Sequence, residues 1–321
     1  MTDLKAITNT RTIQLGVIQA LGGYLFWGFI TGIYYKSLSN LSAWELLAWR
    51  AIGGFPIAFI LLCLPPGIGR LRQALSDQKS VATLLCSTLL IGINWVTFIY
   101  AVLNERLVEA SLGYFINPLV SVLLARIILG ERLRHIQLGA IGIAFAGVIT
   151  FCVSIIMHAE EGSNFTALPW IPFVLPISFG LYGLLRKEMK ADSITGITIE
   201  MGMLLPFMII LEAWLMWSGD ARFLKDGIAA DGLLMLGGLV TVIPLVLFAA
   251  GARKLKLTTI GVLQYIAPTC QLILAITIFG ETVGIGEICA FVLIWIAVAM
   301  YSIESIRYSR KISQSASPTL T

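Results

Sequence analysis

Ten long apolar runs joined by short polar connections constrain this chain more than any other feature of its sequence. Crossing about 30 Å of hydrocarbon takes about 20 helical residues, and every backbone N–H and C=O must find its partner inside the segment. The runs are Ile13–Ile33, Trp44–Leu64, Val81–Leu103, Leu107–Leu129, Ile136–Met157, Leu168–Leu185, Ile194–Trp217, Leu233–Ala252, Leu257–Phe279 and Gly284–Ile303. None alternates apolar with polar residues, which excludes the strands of a membrane barrel. The pattern predicts an all-α polytopic membrane protein of ten transmembrane helices. Composition agrees, because 58% hydrophobic and 12% charged residues, with a mean hydropathy of +0.89, leave too little polar surface for a water-soluble globule. The first run is longer than a signal-peptide core and is followed by many like it, so it reads as a retained helix.

The basic residues orient these spans, since Lys and Arg resist translocation more than acids do. Sixteen fall in the terminal segments and alternate connections, and four (Lys36, Arg106, Arg222 and Lys225) in the others, with Arg50 and Arg126 inside spans. Both termini are therefore expected in the cytoplasm. A net charge of +4 spread in this way indicates membrane lipid as the surroundings and no nucleic-acid partner. The five cysteines lie singly inside apolar runs and indicate no redox chemistry.

The chain also repeats itself. Shifted by 150 residues without a gap, Pro56 falls on Pro206, Phe98 on Phe248, Ile116 on Ile266, Pro118 on Pro268, and Gly130-Glu131 on Gly280-Glu281. Five helices per copy is an odd number, so the second copy enters the membrane from the opposite side. Residues 1–157 and 158–306 are read as the two inverted repeats. Residues 307–321 are read as a cytoplasmic tail, its Ser- and Thr-rich end from Ile312 disordered. Inverted repeats place a solute site between the halves near the midplane, exposed to each side in turn as the halves rock.

Catalytic and cofactor chemistry finds little support. His135 and His158 stand alone at helix ends, no metal-ligand spacing occurs, and GxSxG, HExxH and Walker patterns are absent. No cofactor, no metal and no enzymatic activity are expected. Charged groups within spans are costly and become the first candidates. Arg126 and Glu212 lie near span ends, where long side chains reach polar headgroups. Arg50 and Glu200 occupy the same place in the two repeats, each six residues before Pro56 or Pro206. Their expected depths differ by roughly 12 Å, which leaves open whether they pair, line a cavity, or only join helices. As a carboxylate inside the bilayer, Glu200 is also the candidate carrier of a coupling proton.

Around Pro118 and Pro268, where a missing N–H frees a carbonyl and kinks a span, the polar residues Tyr114, Asn117, Gln264, Tyr265 and Gln271 are candidates for a solute pathway. Asn94 and Trp95 join them from the third span. Packing alone is the competing account of the same residues. Gly28 and Gly32 form a GxxxG pair, a contact motif that supports a competing reading as a receptor or assembly subunit.

The stretches Trp44-Glu45-Leu46-Leu47-Ala48-Trp49-Arg50, Asn94-Trp95, Glu109 to Leu119, Gly130-Glu131-Arg132-Leu133 and Leu263 to Thr269 together resemble the RarD-type branch of the EamA family, in the drug/metabolite transporter superfamily. The resemblance covers nearly the whole chain. It implies a bacterial inner-membrane permease of two inverted EamA repeats that moves a small metabolite or drug, often outward, and it transfers no substrate-binding residue. One departure stands in the first span, where Trp27-Gly28-Phe29-Ile30-Thr31-Gly32 replaces an expected proline-containing run.

Overall fold

The computed structural model describes residues 2–64, 67–76, 78–129, 134–158, 169–189, 191–252, 254–255 and 263–315, and the regular structure among them is helical. Helix α1 (Thr2–Leu25) passes through a π-helical segment (Phe26–Ile30) into α2 (Thr31–Ser37), and together they make the first span. Then come α3 (Ala43–Cys63), the short α4 (Gly67–Ala74), α5 (Gln78–Leu103), α6 (Leu107–Leu129) and α7 (His135–His158). The second half holds α8 (Ile171–Glu188), α9 (Ser193–Ser218), α10 (Ile228–Met235), α11 (Gly237–Ala252), α12 (Ile266–Thr277) and α13 (Ile285–Ser315).

Eight units among the described residues are long and apolar enough to cross a membrane, with α1–α2 and α10–α11 each counting once. The sixth and ninth expected spans are represented by the shorter apolar helices Ile171–Arg186 and Ile266–Thr277. Pro172 lies in the first turn of α8, where the missing N–H has no intrahelical acceptor to lose. Pro268 likewise falls in the first turn of α12, so it starts a helix there and does not bend one in mid-span. Pro56, Pro118 and Pro206 lie inside α3, α6 and α9. Residues 307–315, read as tail, continue α13, because nothing from Arg307 to Ser315 is a Gly or Pro that would stop it. The turn at Gly130-Glu131 and residues 316–321 lie outside the described residues.

The two halves run in opposite directions. Offset by 150 residues, α3 matches α9, α6 matches α12 and α7 matches α13, and each matched pair is in contact and antiparallel. Thr198 near the start of α9 donates to the Ala58 carbonyl near the end of α3 (3.2 Å), while Glu45 near the start of α3 meets Arg222 beyond the end of α9. Ser111 of α6 donates to the Pro268 carbonyl (2.8 Å), and Glu281, beyond α12, accepts from the Leu107 and Val108 amides that open α6 (both 2.8 Å). Arg134, just before α7, pairs with Glu304 of α13 at 2.6 Å, and Ser154 lies against Gly286. The remaining packing obeys the same operation: the first span lies on α11 and α12 as α8 lies on α5 and α6.

The GxxxG pair is consumed inside the chain. A Cβ on Gly28 would stand 2.4 Å from the Cys270 Cβ, and one on Gly32 would stand 2.6 Å from Leu274. The small residues thus bring the first span onto α12, as small residues do where helices meet without water to drive them together. This face is occupied, which removes the support it lent to an assembly subunit. The π segment sits at the departure noted above, with Thr31 Oγ1 donating to the Phe26 carbonyl at 3.3 Å.

Equivalent positions also cap equivalent helices. Ser42 accepts from the Glu45 amide at the head of α3, and Asp192, 150 residues on, accepts from the Thr195 amide at the head of α9. Arg70 of α4 donates to Asp192 at 2.7 Å. Burial pushes the Asp192 carboxyl upward, but the Thr195 hydrogen bonds and Arg70 outweigh it and hold the group below its ordinary range. The stabilisation from this cap is therefore complete above the ordinary carboxylate range and is lost as pH falls through the depressed value. Asp192→Asn is expected to flatten the acid limb of a melting-temperature-against-pH curve, and an unaltered acid limb would contradict the assignment.

Candidate functional site

Arg50 lies on α3 where that helix faces α2 and α5, and only 7% of it is exposed. Its Nη1 donates to the Tyr35 hydroxyl at 2.7 Å, and its guanidinium carbon stands 4.0 Å from the centre of the Trp95 ring. A cation over an indole face gains about 2 kcal/mol or more when desolvated, against about 2.5–3.5 kcal/mol for placing an arginine mid-span. Nε has no hydrogen-bond partner, and no described carboxylate lies within 4.0 Å. Around this charge the rings of Tyr34 and Tyr35 meet edge to face at 5.1 Å, Tyr35 meets Phe98 at 6.3 Å, and Phe98 meets Tyr114 at 5.9 Å. The Tyr114 hydroxyl donates to Asn94 Oδ1 (3.1 Å), and Asn94 Nδ2 donates to the Leu175 carbonyl and to Ser178 on α8. Of the residues read from the sequence as pathway residues, Trp95 of α5 and Tyr114 of α6 thus gather near Arg50, and Asn94 is bonded to Tyr114 on the side toward α8.

Glu200 is in a different place and has its own partners. Its carboxylate, fully enclosed, accepts from Ser87 at 2.6 Å and Tyr182 at 3.3 Å, and Arg186 Nη1 lies 3.6 Å away. Gly196 makes room for that arginine, since a Cβ there would fall 1.5 Å from Nη1. Among the described contacts, then, Glu200 pairs with Arg186 while Arg50 engages Tyr35 and Trp95.

A shallow, widely open cleft of about 650 Å³ lies between the α2–α3 turn and the segment joining α9 to α10, at the end of the bundle away from the start of α1 and the end of α13. Ser37, Leu38, Asn40, Arg222, Asp226 and Leu233 are among its walls. Asn40 donates to Asp226 across it at 2.6 Å, and Glu45 holds the far wall by accepting from the Arg222 and Phe223 amides. Below Leu38 and Leu233, the Tyr34 hydroxyl donates to the Leu234 carbonyl at 3.2 Å. Tyr34 therefore stands between the cleft and the Arg50 cluster. It reaches Leu234 where α10 passes into α11 through the single residue Leu236, and Gly237 and Gly238 let this part of the span lie against α3.

The other sequence candidates follow the α6–α12 contact. Asn117 and Gln271 are buried, and their Oδ1 and Oε1 atoms have no hydrogen-bond partner. Tyr265 stacks on Phe115 at 6.4 Å. Gln264 is half-buried in the turn that precedes α12, away from the Arg50 cluster's bonded network. Sequence reasoning missed Tyr34, Tyr35, Ser178, Ser87, Tyr182 and Arg186. Tyr34 and Tyr35 precede Lys36 at a span end and look like an interfacial belt; their one signal was proximity to the departure at Trp27-Gly28.

An all-helical membrane bundle of two opposed repeats, with buried polar groups where the repeats meet, has the architecture of a membrane carrier. The model of the EamA-like transporter family matches residues 14–153 and 167–303, one match to each half. Protein RarD of Salmonella typhi is 37% identical over 303 residues, covering 94% of this chain and 99% of its own. Protein RarD of Escherichia coli is 36% identical over 306 residues (95% and 100%), and an uncharacterized transporter of Bacillus subtilis, YojE, is 37% identical over 302 residues (92% and 96%). One solved crystal structure shares the fold with a TM-score of 0.56 at 18% identity, covering 93% of this chain and 99% of its own. The chain belongs to the EamA-like transporter family and, with it, to the drug/metabolite transporter superfamily.

Proposed function

We propose that the protein is an inner-membrane permease that moves a small metabolite or drug by alternating access, with both termini in the cytoplasm and residues 1–157 and 158–306 as the two rocking units. The observation that carries this reading is the cleft above the Arg50 cluster, walled by the first repeat on one side and the second on the other. In this orientation the cleft is extracytoplasmic. Arg50, Asn94, Trp95 and Tyr114 are proposed to line the pathway, with Asn117, Tyr265 and Gln271 along the α6–α12 contact, Gln264 at its margin, and Glu200 on the cytoplasmic side. Pro56, Pro118 and Pro206 are proposed to set the bends of their helices.

Flux into proteoliposomes across a metabolite panel tests the proposal. Saturable, protein-dependent uptake or release of at least one solute is expected, and Arg50→Gln is expected to reduce it at least tenfold while the protein remains monodisperse. Absence of flux for every solute would count against transport. Proton coupling at Glu200 rests on its burial beside Arg186, which proton uptake would release. Glu200→Gln is then expected to abolish the pH dependence of flux, and a retained dependence would remove Glu200 from that role.

A further inference from the structure

We propose that Arg50 is the anchor for a carboxylate group on the transported solute, which reaches it from the cleft by displacing Tyr34. This rests on the transport reading above and adds to it the chemical class of the solute.

Three observations lead to it. The first is charge balance. Buried Glu200 faces Arg186, and buried Glu109 is held by Arg106 through two contacts of 2.5 and 2.8 Å, so these ionic groups have opposite charges beside them. Arg50 has a hydroxyl and a ring, and no described carboxylate answers its charge. A cation so placed lowers the free energy of any anion that enters.

The second is geometry. Tyr35 occupies Nη1 only, which leaves the Nε side of the guanidinium without a protein acceptor. Guanidinium forks bind carboxylates through two parallel N–H donors, and Trp95 and Tyr35 fix the plane in which that fork lies. The surrounding rings of Trp95, Phe98 and Tyr114 suit a solute whose remaining body is flat and apolar.

The third is the comparison that the repeat itself provides. At Glu200 the facing position on α5 is Ser87, which donates to the carboxylate at 2.6 Å. The matching position at Arg50 is Gly237, which offers no side chain; its Cβ would lie 3.8 Å from the Arg50 Cα and 2.8 Å from the Tyr34 hydroxyl. One half fills the space beside its buried charge with a bonded side chain. The other leaves that space to Tyr34, an aromatic arm held there by a single 3.2 Å hydrogen bond to Leu234. Rotation of Tyr34 joins the cleft to the free edge of Arg50.

The test uses benzoate as probe and benzamide as its uncharged match, at constant ionic strength, with the full chain purified in a neutral maltoside detergent. A ligand that binds the folded state and not the unfolded one raises the unfolding temperature, by an amount that grows with the logarithm of ligand concentration once that exceeds Kd. Benzoate is expected to raise it, logarithmically with concentration above its Kd, and benzamide to leave it unchanged. Arg50→Gln is expected to weaken the benzoate response at least tenfold, and Tyr35→Phe, which keeps the charge but frees the fork, several-fold. Equal responses to the two probes, no response to benzoate, or a benzoate response unchanged in Arg50→Gln would overturn the assignment. If Arg50→Gln fails to fold, an unchanged response in Tyr35→Phe would overturn it. Saturable flux of a neutral solute together with no benzoate response would defeat the carboxylate assignment and leave the transport reading intact.

Discussion

Gly238→Ala is expected to cost the protein more stability than any other Gly→Ala change among the described residues. An alanine Cβ at this position would stand 2.2 Å from the Gly53 carbonyl carbon, 2.3 Å from its oxygen and 2.5 Å from the Gly54 nitrogen. All three are backbone atoms, so no rotamer change relieves the overlap and α3 must part from α11. Overpacking against side chains costs about 1–3 kcal/mol, and a backbone obstacle belongs at or above the top of that range. The displaced helix is the one that carries Arg50, so transport and any ligand response should fall with stability. Gly232→Ala is the control, because it sits in the preceding helix with nothing within 4 Å of its added carbon. It should gain about 0.5–1 kcal/mol from the lower backbone freedom of alanine. Thermal unfolding of both variants in detergent decides the matter. A Gly238→Ala protein that melts like the parent would mean that α3 and α11 do not pack as described.

The second large effect concerns the Glu200 pair. Arg186→Ala leaves an enclosed carboxylate with two hydroxyl donors and no cation, a loss expected to cost about 3–5 kcal/mol. Glu200→Gln removes the charge that needs compensation and should cost much less, since a glutamine oxygen still accepts from Ser87. Combined, the two changes should be milder than Arg186→Ala alone, because the neutral side chain no longer requires the arginine. A double-mutant cycle of unfolding free energies reads this directly. Simple additivity would show that Arg186 and Glu200 are not coupled.

These expectations show how far the sequence could be read. Antiparallel packing of the repeats was legible in the offset that aligns Pro118 with Pro268 and in the alternation of basic loops, since both follow from span length and charge. The recurrence of Gly-Glu was visible, but its purpose was not: Glu281 reaches 174 residues back to the Leu107 amide, a contact that no local pattern encodes. Arg50, Asn94, Trp95 and Tyr114 could be singled out as candidates because polar residues in an apolar run stand out. Tyr34 and Tyr35 were not, because tyrosine near a span end has an ordinary interfacial explanation and only tertiary packing turns it inward. The GxxxG pair was legible as a close contact but not its partner, since small residues announce close approach without saying to which helix. Arg186 looked like one more cytoplasmic anchor until Gly196 admitted it against α9.

The Glu281 tether has a mechanical meaning as well. With Glu281 fastened to both amides at the head of α6, and Ser111 fastened to Pro268 further along, helices α6 and α12 are joined at two heights along the contact shared by both halves. Bending concentrates where a structure is most compliant, and one place where the backbone departs from α-helical bonding is the π segment at Phe26–Ile30. That segment lies one turn before Tyr34, so a bend of the first span there would shift the aromatic arm beside Arg50 while the line where the two repeats touch stays bonded at two heights.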